Sequence, residues 1–413
     1  MSRKLLVIGY VWPEPKTTAA GQRMLQLLQA FLDFEYQITF ASTALKTLHS
    51  FDLDDLGIQT VGIKLNHASF DTFVKALNPD TVIFDRFMVE EQFGWRVAEQ
   101  VPKAFRILNT EDLHSLRKTR EVCHKKREEF TLEKWKANDI TKREVASIYR
   151  SDLSLLVSTY EMELLMGQLK LPEQILMHLP FMLPESTEKT IASWPSFDER
   201  AGFITYGSGK HEPNVDAIIH LKQTIWPLIR KELPQATLKV FGSYFPKQVL
   251  EMHKPEEGFH IMGWVDDLDK EIQKSRVCLA PLRFGAGIKG KLVQAMKNGT
   301  PSVTTVIGAE GMMHQDADWP GSIISAPEAF ASAAVQLHQN YEAWRAASER
   351  GKELIQQYFS KRRWSKQLNS RLEELSTNLD PHRSENFMGS LLQYHTLAST
   401  KYMGKWIAEK NSN

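Results

Sequence analysis

"RFGAGIKGKLVQAMKNGTPSVTT", Arg283–Thr305, decides how the chain is read. Gly285, Gly287 and Gly290, with Lys289 and Lys291 among them, stand just before an apolar pattern at helical spacing. Gly299 and Pro301 end that pattern, and a β-rich run follows. Val277–Pro281 upstream reads as a strand, so the stretch is strand, glycine turn, helix, strand, the repeating unit of an α/β layer. Glycine lets backbone N–H groups approach an anion closely. The helix start adds partial positive charge and the lysines add full charges. The turn is therefore a candidate phosphate or diphosphate site, with Lys289 as the candidate catalytic cation and Gly285, Gly287 and Lys291 as binding residues. The Gly-Lys-Ser/Thr order of a Walker loop is missing.

Outward from this unit, strand and helix patterns alternate. Strands are expected at Lys4–Tyr10, Tyr36–Ser42, Thr81–Asp85, Phe105–Asn109, Leu153–Ser158 and Gln174–His178. A second series is expected at Gly202–Tyr206, Thr237–Phe241, Phe259–Met262, Val277–Ala280, Ser302–Thr305 and Ser322–Ser325. Many are continuous apolar runs, as in parallel strands covered by helices on both faces. The rhythm restarts once. Leu179–Gly202, rich in proline, serine, threonine and charge, reads as a link, giving an N-terminal domain over 1–185, a linker over 186–200 and a C-terminal domain over 201–358.

Two stretches break the rhythm. Residues 113–150 read as a helical insertion whose Ser115–Arg150 part holds eleven basic and six acidic residues, either a solvated face laced with ion pairs or a surface for anionic lipid or an anionic acceptor. The tail over 359–413 has apolar residues at helical spacing and is expected to pack back on the body. Its cluster Lys361, Arg362, Arg363 and Lys366 reads as a solvated face, with a membrane-facing patch as the alternative.

The 413 residues suit two domains, and 51 basic against 50 acidic residues give no electrostatic case for a nucleic-acid partner. Two cysteines far apart, Cys123 and Cys278, fit neither a disulfide framework nor a zinc site, and a reducing cytoplasm is the default. No apolar run reaches the ~18 residues of a membrane span, so any work at a membrane would be peripheral, at its inner face.

Two further strand ends carry chemistry. After the first strand, Gly21 and Arg23 open a helix that Thr17 or Thr18 can cap, a second anion-friendly helix start or a plain first crossover helix. After Phe105–Asn109, Glu111, Asp112 and His114 can accept protons from sugar hydroxyls or act as acid and base; equally, Asp112 can cap the next helix and His114 can pack. The aspartate-x-aspartate spacings at Asp52–Asp54, Asp267–Asp269 and Asp316–Asp318 read as helix starts and turns, and no metal constellation is visible.

Three blocks in order, Phe197–Gly242, Gly263–Leu268 and Ala280–Met312, resemble the C-terminal, nucleotide-sugar-binding domain of glycosyltransferase family 4, over roughly Phe197 to Tyr358. The N-terminal half is similar in outline, with Ser158–Leu165 matching the end of that domain. The resemblance implies the GT-B fold: an α/β architecture of two Rossmann-like, doubly wound parallel-sheet domains facing across a cleft, with the last helices crossing back. It implies retaining, metal-independent transfer of a sugar from a nucleotide donor, without a cofactor, to a glycan, lipid-linked or protein acceptor in surface-glycan or polysaccharide assembly. Gly285, Gly287 and Lys289 would lie at the donor diphosphate, Gly207 and Lys210 would face its phosphates, and the Trp264–Val265 backbone would meet the base. The Thr110–Asp112 turn falls where relatives carry a histidine near the transferred sugar. The chain departs from the pattern at Ala286 and Gln294, where relatives carry glutamates, and in offering Lys210 and His211 for an arginine–lysine pair.

On this reading Lys289, helped by Lys291 or Lys210, stabilises the departing diphosphate, and the acceptor binds near Glu111 and His114. Two alternatives remain at this point. A nucleotide-sugar epimerase shares the layout, and a non-catalytic sugar- or nucleotide-binding subunit would suit Ala286 and Gln294.

Overall fold

The computed structural model describes residues 3–185, 194–312 and 318–411, with the backbone alone at 395–398. Part of the expected linker and most of the Asp316–Asp318 spacing lie outside the described residues.

Two parallel sheets organise the chain. The first holds β1 (Lys4–Gly9), β2 (Gln37–Ser42), β3 (Gln59–Gly62), β4 (Thr81–Asp85), β5 (Phe105–Asn109), β6 (Leu153–Leu156) and β7 (Leu176–His178). Its order is β3-β2-β1-β4-β5-β6-β7. The second holds β8 (Phe203–Tyr206), β9 (Leu238–Phe241), β10 (Phe259–Gly263), β11 (Val277–Ala280), β12 (Ser302–Thr304) and β13 (Gly321–Ile323), in the order β10-β9-β8-β11-β12-β13. Each expected strand is present with small shifts at its ends. The edge strand β3 was not expected: its four residues are half-buried or exposed and carry no apolar run.

The continuous apolar runs have a physical cause in the side-chain alternation. Leu6 and Ile8 of β1 enter one core cluster while Leu5 and Val7 enter another, on the opposite face. The second sheet repeats this, with Leu238 and Val240 of β9 on one side and Phe241 on the other.

Residues 113–150 fold as three helices, His114–Lys126, Leu132–Ala137 and Asp139–Arg150, rather than one long one. The first stops at Arg127, which takes a left-handed φ of 56°. Ion pairs do lace the outer face, such as Lys125 to Glu121 at 2.8 Å and Arg143 to Glu91. The tail returns to the first domain. Lys361 N donates to Leu183 O at 2.8 Å and Leu183 N to Phe359 O at 2.7 Å, so the outgoing and returning chains run side by side. Trp364, Leu368, Leu372 and Leu375 of the helix Lys361–Thr377 then join the cluster of Leu5 and Val7.

Each sheet has a point where strand order reverses, between β1 and β4 in the first and between β8 and β11 in the second. Crevices at such points take ligands in open α/β sheets. Three of the loops singled out in the sequence leave β1, β8 and β11, three of the four strands that flank these points, and the fourth loop, with Glu111 and His114, leaves β5 next to β4.

Candidate active site

The glycine turn after β11 faces the N-terminal domain. Gly287 has a left-handed φ of 62°, and a Cβ there would stand 2.9 Å from Asp112 Cβ, so only glycine allows this approach. Its N–H donates to Glu161 Oε1 at 2.8 Å. The same oxygen accepts the Leu113 N–H at 2.9 Å, so one carboxyl ties loops of both domains. Arg120 adds a second tie, to Gly285 O at 2.9 Å and with two nitrogens to the Glu310 carboxylate at 2.7 and 2.8 Å.

Lys289 ends the turn as the N-cap of the helix Gly290–Lys297. It is buried, and its Nζ donates to Gly287 O at 2.6 Å and Ala286 O at 3.2 Å. Burial pulls the Lys289 and Lys291 ammonium groups down to about 8. Both stay substantially charged near neutrality.

Around this turn the N-terminal domain supplies the strand-end residues. Glu111 sits at a left-handed φ of 63°. Burial raises its carboxyl to about 7, against the pull of Arg23. Asn109 Nδ2 donates to its Oε1 at 2.8 Å. For Asp112, burial would raise the carboxyl, but Arg117 at 2.6 Å and His114 at 3.2 Å outweigh it and hold it well below the usual range. Burial lowers His114 to about 4 and His211, on the loop after β8, to about 3, so both rings are neutral near pH 7. The region thus holds neutral imidazoles, one firm carboxylate, and a second carboxyl at Glu111 poised near neutrality.

The expected residues of the first helix play a different part. Gly21 lies against the backbone of Glu14, where a Cβ would be 2.5 Å from its carbonyl, and Thr18 caps the helix Ala19–Asp33 through the Gly21 N–H. Arg23 is buried, donating to Pro180 O at 2.9 Å and Asn109 Oδ1 at 3.3 Å, with its Nε 4.0 Å from Glu111 Oε1. It fixes the β5 end from beneath. The two helix starts nevertheless meet: a Cβ on Gly290 would be 2.4 Å from Ala19 Cβ.

Beside this meeting point lies an interdomain cavity of about 960 Å³, lined by Gly290, Gln294, Trp264, His49, Phe51 and Met182 among others. The His49 and Trp264 rings lie 5.2 Å apart on its wall. Gln294 Nε2 donates to Asp269 Oδ1 at 2.9 Å, so its amide has a partner that a glutamate would repel. Val265, next to Trp264, packs half-buried against the cluster of Tyr206 and Phe241. Gly207 abuts Asn214, which occupies the place of a Cβ at 2.5 Å, and exposed Lys210 lies over the Tyr244 ring at 3.5 Å. Tyr244 Oη donates in turn to Glu14 Oε2 at 3.0 Å, another contact across the cleft.

The structure therefore gathers Gly285, Gly287, Lys289, Glu111 and His114 in one buried region and sets Gln294 on the cavity beside it. It leaves Lys210 at the exposed rim. Sequence reasoning missed Glu161 and Arg120. Glu161 follows Ser158, which caps its helix through the Glu161 N–H, and a glutamate there reads as an ordinary capping residue. Arg120 sat within a basic run. Asp52 and Asp267 cap short helices, through the Asp54 and Lys270 N–H groups. Among the described residues no group of three or more His, Cys, Asp and Glu could hold a metal, and no helix is long and apolar enough to cross a membrane.

Residues 202–340 match the family described as Glycosyl transferases group 1. No curated protein matches the chain in sequence. Solved structures share its whole architecture at low identity. Sucrose-phosphate synthase from Thermosynechococcus elongatus is 14% identical with a TM-score of 0.65, over 91% of this chain and 100% of that one. HepE from Anabaena, in complex with UDP and glucose, is 11% identical with a TM-score of 0.65, over 90% and 100%. WaaG, a glycosyltransferase involved in lipopolysaccharide biosynthesis, is 12% identical with a TM-score of 0.63, over 87% and 98%. The chain has the GT-B fold and carries a group 1 glycosyltransferase domain.

Proposed function

We propose that the chain, whose C-terminal domain is that of a group 1 glycosyltransferase, moves a sugar from a nucleotide-sugar donor to an acceptor hydroxyl, with retention and without a metal. The observation that carries this reading is the meeting of two helix starts at the cavity, with Lys289 at the mouth of one of them. The nucleoside takes the cavity, its base against Trp264 and His49 and its ribose near Gln294. The diphosphate takes the Gly285–Lys291 turn. As the glycosyl–phosphate bond breaks, negative charge grows on the leaving oxygen, where the N–H donors of the turn and the Lys289 and Lys291 ammonium groups stabilise it. The acceptor hydroxyl approaches from the N-terminal domain beside Glu111 and His114, and the leaving phosphate takes its proton.

The Glu161 carboxyl stands where a phosphoryl oxygen would accept the Gly287 N–H. Donor binding on this reading displaces it and loosens the tie between domains. A donor screen tests the proposal: uridine, guanosine and adenosine diphosphates by thermal shift, then hydrolysis of the matching nucleotide-sugars. One diphosphate should raise Tm, and its sugar ester should be slowly hydrolysed. No stabilisation by any of the three would sink the reading, and stabilisation without turnover would favour a binding subunit.

A further inference from the structure

The last helix, Phe387–Lys410, is built the wrong way round for a helix of a soluble surface. Such a helix turns its large apolar side chains inward and its small or polar ones outward. Here glycines face inward. A Cβ on Gly389 would stand 2.2 Å from Tyr149 O, and one on Gly404 3.1 Å from the Trp95 ring. These close approaches seat the helix on the helices Phe87–Gln100 and Asp139–Arg150 of the N-terminal domain. Gln393 Nε2 to Arg150 O at 2.9 Å and Lys401 Nζ to Glu99 at 2.9 Å fasten it there. Phe387, Tyr394, Tyr402, Met403 and Trp406 face outward, each between 63% and 76% exposed, with Met388 and Leu391 beside them.

At about 100° per residue these outward side chains cover roughly 180° of the helix circumference, along about 28 Å of its length. A coiled-coil seam is narrower, confined to the a and d positions, so the width argues against a second copy of the helix as the occupant. Trp and Tyr carry an apolar body and a polar tip, the composition of a membrane–water boundary. The helix has three lysines, Lys401, Lys405 and Lys410, against one acidic residue, Glu409. Lys405 and Lys410 lie near the two edges of the exposed apolar face, and Glu409 lies between them.

We propose that this face docks on the surface of an anionic lipid bilayer, lying flat with its aromatic side chains in the headgroup region and its lysines at lipid phosphates. Burial of apolar area supplies the binding, and the lysines supply the preference for anionic lipid. The seat of the helix on the N-terminal domain brings that domain against the bilayer.

The test is co-sedimentation of the full chain with vesicles of phosphatidylcholine alone or containing about one third phosphatidylglycerol. The chain should pellet with the anionic vesicles at least about tenfold more than with the neutral ones. The combined variant Tyr402→Ser, Met403→Ser and Trp406→Ser should lose that binding while keeping its Tm, because these side chains are exposed. Lys405→Glu with Lys410→Glu should remove the anionic preference and keep residual binding. Failure of the unaltered chain to bind, or equal binding by the serine variant, overturns the proposal. So does a dimer in sedimentation velocity that the serine variant converts to monomer, since the face would then belong to a second copy.

Discussion

The two helix starts at the cleft look alike in sequence and differ in use. Ala19–Asp33 opens with Gly21 and Arg23, and Gly290–Lys297 opens behind Gly287 and Lys289. In the first, the glycine serves close packing on Glu14 and the arginine is buried beneath Asn109 and Glu111. In the second, the glycine takes a left-handed backbone against the opposing domain and the lysine bonds its own turn at the cleft. Glycine plus a cation at a helix mouth is therefore ambiguous. The cation's partners decide whether it is a support or an anion ligand.

The sharpest break of that comparison is to remove each cation. Lys289→Ala should cut turnover of donor by about 10²–10³, the usual cost of losing one preorganised donor at a developing charge. Arg23→Ala should instead lower folding stability by about 3 kcal/mol, because it strands buried acceptors and a buried carboxyl. Urea unfolding beside donor hydrolysis separates the two. A folded Arg23→Ala that has lost turnover, next to an active Lys289→Ala, would exchange their roles.

The glycines come next. Gly287→Ala must place a Cβ at a left-handed φ and against Asp112. It should weaken nucleoside diphosphate binding by about 1–3 kcal/mol in calorimetry, the cost of a strained backbone at a site. Gly21→Ala should lower Tm and leave the affinity of the folded fraction unchanged.

A third contrast is in pH. Burial raises Glu161 to about 8 and Glu111 and Glu144 to about 7, so the folded chain holds protons there that the unfolded chain releases near 4.5. Their stabilising contribution is full below about 4.5 and is lost as pH rises toward 8. His114 and His211 shift the other way, but their effect ends near 6.5. Between pH 6.5 and 8 the carboxyls dominate, and stability should fall with rising pH. Glu161→Gln should flatten that fall by about 1–2 kcal/mol, read from urea midpoints. An unchanged slope would mean that the Glu161 carboxyl does not hold its proton in the closed cleft.

The smallest effect is expected at Gln294→Glu. A carboxylate there would lose the bond to Asp269 and face a like charge. Stability should fall by no more than about 1 kcal/mol, and donor affinity should not improve. A clear gain in affinity would show that the ribose wants a charged acceptor more than Asp269 wants the amide.

Much of the layout was legible because it is local. Leu5–Ile8 reads as a buried strand from four successive apolar residues, and Gly299 and Pro301 stop a helix wherever they stand. The edge strand β3 escaped because Gln59–Gly62 buries too little to leave a pattern. Arg120 was taken with its neighbours as solvated, whereas it is buried on Gly285 and Glu310. Nothing local distinguishes it from Lys118 or Lys125, because its partners lie 165 and 190 positions away.

The sequence by itself determined the strand–helix alternation, the two-part organisation and the positive, glycine-bent turn at the head of Gly290–Lys297. These follow from backbone freedom, charge and side-chain period, which act over a few residues. Only the tertiary structure decided that Arg23 is buried against Asn109 and Pro180 while Lys289 bonds the carbonyls of its own turn, that Glu161 closes on Gly287, and that the last helix turns its aromatic side chains outward. Those depend on which surfaces come to face each other, and burial and opposing charge act across space, between residues far apart in the chain.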